Sequence, residues 1–198
     1  MRLASATVHE AAARSQVVDL NLFQVITGSA AHGPARTVRC GQDDNLMVHA
    51  AVAEAEAGEV LVLTMPEPRP VALVGELLAT QMKGRGIAAV LIDAAVRDVE
   101  ELREVGVPIW ARWVRVSGAD KKTPGTIGEP VVVGGATIRQ GDLLVLDSDG
   151  VAVVEAERVD EVLAAARERE EYEVEKRTKL QAGALSYDLD GLRGLVEK

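Results

Sequence analysis

The chain has 198 residues, of which 47% are hydrophobic and 27% charged, a balance typical of globular proteins and unlike that of a disordered chain. Lysine and arginine number 22 against 31 acidic residues, so the formal net charge is −9, which disfavours generic binding to nucleic-acid phosphates. The single cysteine, Cys40, excludes an internal disulfide and a zinc site built from several cysteines.

Length and composition together predict one domain over residues 1–198 and a cytoplasmic location. Single cores commonly organise about 100–200 residues. The segment that follows Met1 is polar rather than an apolar signal core, and no apolar run approaches the ~20 residues that cross a bilayer. A lone cysteine is typical of a reducing compartment. We therefore expect no membrane association and no nucleic-acid partner.

The first half of the chain alternates predicted helices with strands that are apolar on both faces. A helix is expected over residues 5–15, with Ser5 or Thr7 as its cap, because the segment is rich in good helix formers. The later elements are strands at 33–40, 59–65, 71–74, 87–92 and 108–114 and helices at 46–55, 79–83 and 99–105. Such an alternation is typical of an α/β core with parallel strands.

The second half changes character after a polar segment at 117–128, which we expect to be a loop. A hairpin is predicted over 130–138, with its turn at Gly134 and Gly135, and two antiparallel strands over 142–147 and 151–155. An alanine- and charge-rich segment predicts one long surface helix from about 158 to 180. The tail from 183 to 198 shows only weak periodicity.

Two short segments place reactive or ligand-binding groups at the ends of predicted strands. Gly75 leads an apolar strand into a helix, so the amides of Leu77 and Leu78 should be unpaired donors, which bind carboxylate or phosphate. Arg97 and Asp98 follow the strand 87–92, at the carboxyl end where ligands gather in parallel sheets. Arginine can bind a carboxylate bidentately, and aspartate offers oxygen to a hard cation.

A purely structural interpretation of the same residues stays open. Asp98 and Glu101 match the Asp-x-x-Glu form of a helix-capping box, which would leave Arg97 as a solvated neighbour. Gly75 would then only permit a tight turn, and Glu76 would only favour the positive end of a helix. Asp98 could also cap a helix with one oxygen and bind a metal with the other.

The histidines and several lysines give weaker signals. The three histidines show no metal-ligand spacing and are expected to be surface or hydrogen-bonded side chains; they are His9, His32 and His49. The lysines near the candidate segments are expected to be solvated charges; they are Lys83, Lys121 and Lys122.

The motifs GELL at 75–78 and GRGIAAVLIDAAVRD at 84–98 occur together with GPARTV at 33–38, PIWA at 108–111 and DSDGV at 147–151. This set resembles the family that contains the regulator of ribonuclease activity A and the 4-hydroxy-4-methyl-2-oxoglutarate aldolases. The resemblance extends over nearly the whole chain. It implies a swivelling β/β/α fold assembled as homotrimers or hexamers, with active sites between neighbouring subunits.

The aldolases of that family imply a class II pyruvate aldolase that depends on Mg²⁺ or Mn²⁺, acts on small 2-oxo acids and also decarboxylates oxaloacetate. By this resemblance Asp98 would hold the metal ion, and Arg97 would bind the oxygens of the pyruvyl group. The amides of Leu77 and Leu78, which follow Gly75, would bind its carboxylate, and Glu76 would hold a catalytic water. Glu173 would reach the site of a neighbouring subunit.

Two positions depart from the family pattern, and two other functions stay open. Ala94 follows Asp93 where relatives usually carry glycine, and Glu76 stands where many carry aspartate, so the substrate range could differ. The first alternative is a non-catalytic regulator of ribonuclease activity that binds a protein partner through its acidic surface. The second is a catalytically degenerate relative kept as an oligomeric scaffold.

Overall fold

A computed structural model describes residues 3–197, so Met1, Arg2 and Lys198 of the predicted domain lie outside the described residues. The helices are α1 (Ser5–Ala11), α2 (Leu46–Glu54), α3 (Glu76–Gly84), α4 (Val99–Val105), α5 (Val159–Gln181), α6 (Ser186–Leu189) and α7 (Arg193–Val196). The strands are β1 (Phe23–Gln24), β2 (Ala31–Arg39), β3 (Val60–Thr64), β4 (Ala72–Val74), β5 (Ala89–Val96), β6 (Ile109–Val114), β7 (Thr126–Ile127), β8 (Val131–Val133), β9 (Ala136–Ile138), β10 (Leu143–Leu146) and β11 (Val151–Val154).

Within the described chain, nine strands form one mixed sheet in the order β1-β6-β5-β3-β2-β10-β11, with β4 paired to β5 and β7 paired to β2. The pairs β2–β3, β3–β5, β4–β5 and β5–β6 are parallel, whereas β10 pairs antiparallel with both β2 and β11. The predicted α/β class and the parallel first half are therefore confirmed. Strands β8 and β9 form the predicted hairpin, as a two-stranded sheet of their own.

Three apolar clusters hold these layers together. Helices α2, α3 and α4 cover one face of the parallel strands, and Leu61, Ile92 and Met82 belong to this first cluster. The opposite face packs with the β8–β9 hairpin and one side of β10 and β11 around Trp110. The other side of β10 and β11 packs against α1 and α5. Strand β5 is buried along its whole length, and its residues are apolar except Asp93, which pairs with Arg112 at 2.9 Å.

The first helix is shorter than the sequence predicts. Helix α1 ends at Ala11 instead of reaching Ser15, because Ala13 and Arg14 adopt left-handed backbone angles, each with φ of 57°. The predicted cap is also wrong, since Ala4 precedes the helix and no side chain caps it. The Ser5 hydroxyl donates instead to a distant carboxylate.

Other boundaries differ less from the prediction. Strand β5 continues to Val96 rather than ending at Ile92, and the predicted loop at 117–128 contains the short strand β7. The long C-terminal helix is confirmed as α5, and the weakly periodic tail forms the two short helices α6 and α7. In the part of the chain that the structure describes, no helix has the length and apolar character needed to span a bilayer.

Asp147 connects α1 to the start of the turn between β10 and β11 through hydrogen bonds. Its carboxylate accepts hydrogen bonds from the Ser5 amide at 2.8 Å and from the Ser5 hydroxyl at 2.6 Å. Burial alone would raise the pKa of Asp147, but these bonds, with further bonds from the amides of Asp149 and Gly150, lower it below its ordinary value. The ionised carboxylate therefore stabilises the folded chain.

We predict that Ser5→Ala lowers the free energy of unfolding by about 1.5–3 kcal/mol at neutral pH, because it removes a hydrogen bond to a buried charge. In the parent protein, the stabilisation is present above the ordinary aspartate pKa and is lost as pH falls through the lowered folded pKa. The difference between the two proteins should therefore vanish in acid. Urea unfolding at several pH values measures this, with the exposed Ser15→Ala as a control; equal stability at neutral pH would contradict it.

Candidate functional site

The two candidate segments meet because β4 and β5 are parallel neighbours. Strand β4 ends at Val74 and β5 ends at Val96, so both segments leave the sheet at the same edge. The Arg97 amide donates to the Val74 carbonyl at 3.1 Å and continues this pairing past the end of β5. Gly75 and Arg97 are therefore held next to each other by backbone geometry.

The side chain of Asp98 points to the start of α3 and not along its own helix. Asp98 has a left-handed backbone, with φ of 59° and ψ of 47°, and makes no capping bond to α4. Its Oδ2 atom accepts a hydrogen bond from the Glu76 amide at 3.1 Å. The capping-box interpretation with Glu101 is therefore wrong, and Asp98 instead lies at the positive end of α3.

Gly75 leaves the space that Asp98 and Arg97 occupy. A Cβ atom on Gly75 would lie 2.5 Å from Asp98 Oδ2 and 3.1 Å from Arg97 Nε. The backbone of Gly75 has φ of −132°, which any residue adopts, so its role is to permit this close approach. A Cβ atom on Gly118 would likewise lie 2.6 Å from Arg97 Nη1. Two glycines therefore lie against Arg97.

The start of α3 presents free donors beside this pair. The amides of Leu77 and Leu78 have no hydrogen-bond acceptor among residues 3–197, as expected for the first turn of a helix. The Glu76 carboxylate accepts from the Thr80 hydroxyl at 2.8 Å, which holds it over the first turn. Arg97 Nε lies 3.6 Å from Asp98 Oδ2, and both side chains are about half exposed.

These groups line one open cavity of about 210 Å³. The structure brings together the predicted site residues Gly75, Glu76, Leu77, Leu78, Arg97 and Asp98. It does not bring Glu173 there: that residue lies on α5 and pairs with Arg169 at 2.9 Å. Ala94 is fully buried in the first apolar cluster and does not line the cavity.

Four further polar residues line the same cavity, and the sequence analysis did not identify them as site residues: Asn45, His49, Gln81 and Lys121. His49 was interpreted as a surface or hydrogen-bonded histidine and Lys121 as a solvated charge. His49 Nε2 is buried and has no partner in the described structure, which contradicts that expectation. For Asn45, just before α2, and His49, within it, their four-residue spacing is the signal that could have found them.

The donor set suits a cation that keeps much of its own water. Among residues 3–197, no group of three or more histidine, cysteine, aspartate or glutamate side chains could hold a metal ion. Asp98 supplies one carboxylate, and Glu76 lines the same cavity. Mg²⁺ is commonly bound by one or two carboxylates, with water and substrate oxygens as its remaining ligands. The residues present therefore fit such an ion and do not fit a closed structural site.

A family model described as "RraA-like: Aldolase/RraA" matches residues 5–153, more than half of the chain, so the chain belongs to this family. A protein of Halalkalibacterium halodurans, provisionally named a 4-hydroxy-4-methyl-2-oxoglutarate aldolase, is 34% identical over 166 residues. The match spans 84% of this chain and 77% of that protein. The family resemblance predicted from the sequence is confirmed.

Solved structures of the family have the same fold. RraAS2 of Streptomyces coelicolor, described as an unusual member of the RNase ES inhibitor RraA family, is 29% identical with a TM-score of 0.78, over 88% of this chain and 91% of that one. The RNA-processing inhibitor RraA of Thermus thermophilis is 27% identical with a TM-score of 0.72, over 78% and 93%. The predicted fold class is thereby confirmed.

We predict that Gly75→Ala weakens binding of oxalate in the presence of Mg²⁺ by about tenfold or more, because small displacements of binding groups are costly. The clashing atoms belong to the half-exposed side chains of Arg97 and Asp98, which can move, so the free energy of unfolding should change by less than about 1 kcal/mol. Calorimetry and urea unfolding measure the two effects.

The matched control is Gly84→Ala at the other end of α3, where a Cβ atom would meet nothing within 4 Å. Oxalate affinity should be unchanged in this variant. Parental affinity in Gly75→Ala would contradict the spatial role assigned to Gly75.

Proposed function

We propose that this member of the Aldolase/RraA family is a divalent-metal-dependent lyase, a class II pyruvate aldolase. Its substrate is 4-hydroxy-4-methyl-2-oxoglutarate or a similar 4-hydroxy-2-oxo acid, and the same site decarboxylates oxaloacetate. One observation carries the proposal: Arg97, Asp98 and the unpaired amides of Leu77 and Leu78 face one cavity of about 210 Å³. The name of the Halalkalibacterium halodurans relative supports it.

The pyruvyl end of the substrate meets the start of α3. The free amides of Leu77 and Leu78 are donors for its carboxylate, and the helix dipole favours the negative charge there. The Arg97 guanidinium, which lies against Gly75 and Gly118, donates to the keto oxygen. These contacts orient the bond between the third and fourth carbons, which is the bond that breaks.

Cleavage requires a base for the 4-hydroxyl group. A water held by Glu76 takes the hydroxyl proton, the C3–C4 bond breaks, and its electron pair passes into the enolate of pyruvate. The fourth carbon becomes a ketone, so 4-hydroxy-4-methyl-2-oxoglutarate yields two pyruvates once the enolate carbon is protonated. Oxaloacetate loses CO₂ to give the same enolate. Thr80 helps to orient Glu76 through its hydroxyl.

Asp98 is the residue that would hold Mg²⁺ or Mn²⁺ in this site. When bound there, the ion supplies a Lewis acid that stabilises negative charge on the keto oxygen. Arg97 adds fixed positive charge near the same oxygen, so the two effects reinforce each other. No lysine is needed as a Schiff base, and Lys83 lies outside the cavity at the far end of α3.

The proposed assembly is a homotrimer or a hexamer. Glu173 lies outside the cavity of its own chain, on α5, so it would act only in the site of a neighbouring subunit. The exposed Val114 and Val116 next to Arg97 offer apolar surface that such a neighbour would cover.

A second candidate function is regulation of a ribonuclease. Relatives of known structure are described as inhibitors of RNA processing or of RNase ES, and the net charge of −9 favours a basic protein partner. This function requires neither Asp98 nor bound metal. Turnover therefore separates the two candidates.

We predict Mg²⁺-dependent release of pyruvate from 4-hydroxy-4-methyl-2-oxoglutarate and from oxaloacetate, abolished by a chelator. Asp98→Asn should lower both rates at least ~100-fold, because it removes the charge that holds the ion but keeps an acceptor for the Glu76 amide. The control is Glu101→Gln, an exposed carboxylate three residues away on α4. Rates no higher than those of metal ion alone would instead favour the regulator.

We also predict that Arg97→Ala weakens binding of pyruvate and oxalate by about 10–100-fold while the fold is unchanged, since it removes charged hydrogen bonds. Calorimetry measures the affinity and circular dichroism the fold. Lys83→Ala, which removes an exposed cation at the other end of α3, should bind like the parent. Equal affinity in Arg97→Ala and the parent would refute the role of Arg97.

A further inference from the structure

We propose that Asn45, His49 and Lys121 form a second subsite in the cavity, which binds the half of the substrate beyond the scissile bond. This half carries the 4-hydroxyl group and the distal carboxylate. The inference rests on the proposed function, because it presupposes that the pyruvyl half binds at Arg97. These three residues then determine whether the site prefers 4-hydroxy-2-oxo diacids or shorter 2-oxo acids.

Asn45 is held rigidly and has one unused acceptor. Its Nδ2 atom donates to the Leu73 carbonyl at 2.9 Å, and its amide donates to the Asp120 carbonyl at 2.9 Å. The residue is only 7% exposed, yet its Oδ1 atom has no partner among the described residues. A buried acceptor without a donor is costly. A hydroxyl group bound in the cavity satisfies it.

Asn45 directly precedes α2, and His49 follows one helical turn later, within the helix. Both residues line the cavity. Its Nε2 atom is buried, also without a partner in the described structure, and the residue lines the cavity. Burial, followed by the charge of Lys121, lowers the pKa of His49 below its ordinary value. The imidazole is therefore neutral near pH 7 and can offer one N–H group to a carboxylate.

The segment 118–121 connects the two ends of the cavity. Gly118 lies against the Arg97 guanidinium, Asp120 binds the Asn45 amide, and Lys121 follows directly. The Asp44 carboxylate anchors the continuation of this segment through the amides of Lys122 at 2.6 Å and Thr123 at 2.9 Å. Three residues span at most about 10 Å. Lys121 is therefore within reach of a five-carbon diacid whose pyruvyl end is at Arg97.

The chemistry of the distal half matches these groups one by one. The hydroxyl group is its one hydrogen-bond donor: it donates to Asn45 Oδ1 when the substrate binds and to the water held by Glu76 when the C3–C4 bond breaks. The carboxylate suits the Lys121 ammonium and the His49 N–H group. Oxaloacetate lacks the hydroxyl and carries its second carboxylate one carbon closer to the keto group. Oxalate and pyruvate lack the distal half altogether. Loss of the subsite should therefore weaken the binding or turnover of oxaloacetate, oxalate and pyruvate less than that of the 4-hydroxy-2-oxo diacid.

The test compares two substrates in the full-length protein with Mg²⁺. Lys121→Met and His49→Leu should each lower kcat/KM for 4-hydroxy-4-methyl-2-oxoglutarate by about tenfold or more, the effect expected for a charged hydrogen bond. Oxaloacetate decarboxylation should change by less than about threefold. Oxalate affinity, measured by calorimetry, should equal that of the parent. His49→Gln, whose amide nitrogen can replace Nε2, should restore part of the loss.

Lys122→Met is the matched control, because Lys122 is the adjacent exposed lysine and does not line the cavity. Equal losses for both substrates, or reduced oxalate affinity in Lys121→Met, would overturn the subsite. If the parent binds oxalate but turns over neither substrate, the proposed function fails. Turnover of both substrates with no selective loss in the variants leaves the proposed function standing and refutes only the subsite.

Discussion

The whole site depends on the parallel pairing of β4 with the last part of β5. The bond between the Arg97 amide and the Val74 carbonyl extends that pairing by one residue, just where both strands end. As a result the free amides of α3 and the Arg97 side chain face the same cavity. No long-range ion pair is needed to assemble them, because the backbone of the sheet fixes both partners.

The backbone conformation of Asp98 also determines where its carboxylate points. A left-handed residue between β5 and α4 turns the carboxylate away from α4, and aspartate tolerates this conformation better than most residues. The absence of a side chain at Gly75 then lets the carboxylate reach the Glu76 amide. The amide that Asp98 binds would otherwise be an unpaired donor at a helix start. The same contact therefore satisfies α3 and orients a carboxylate toward the cavity.

Much of the fold follows from apolar patterning, whereas the site follows only in part. Strands buried on both faces, such as β3 and β5, predict a parallel sheet, and the ends of parallel strands predict where Arg97 and Asp98 lie. Local sequence patterns predict the wrong hydrogen bond where a residue distant in the sequence provides the partner. Ser5 bonds to Asp147 rather than capping α1, and Asp98 bonds to Glu76 although its spacing matches a capping box. Lys121 lines the cavity in a loop that Asp44, distant in sequence, binds through the Lys122 amide.

The balance of charge connects the cavity to the chemistry proposed for it. Its ionised lining residues are Glu76, Asp98, Arg97 and Lys121, two of each sign, so the protein groups alone sum to zero. A 4-hydroxy-2-oxo diacid brings two negative charges and a divalent cation two positive ones, which keeps the loaded cavity neutral. A dianion without the cation would face both carboxylates with only partial compensation from the α3 dipole. Electrostatics therefore couple binding of the cation to binding of the diacid, each favouring the other.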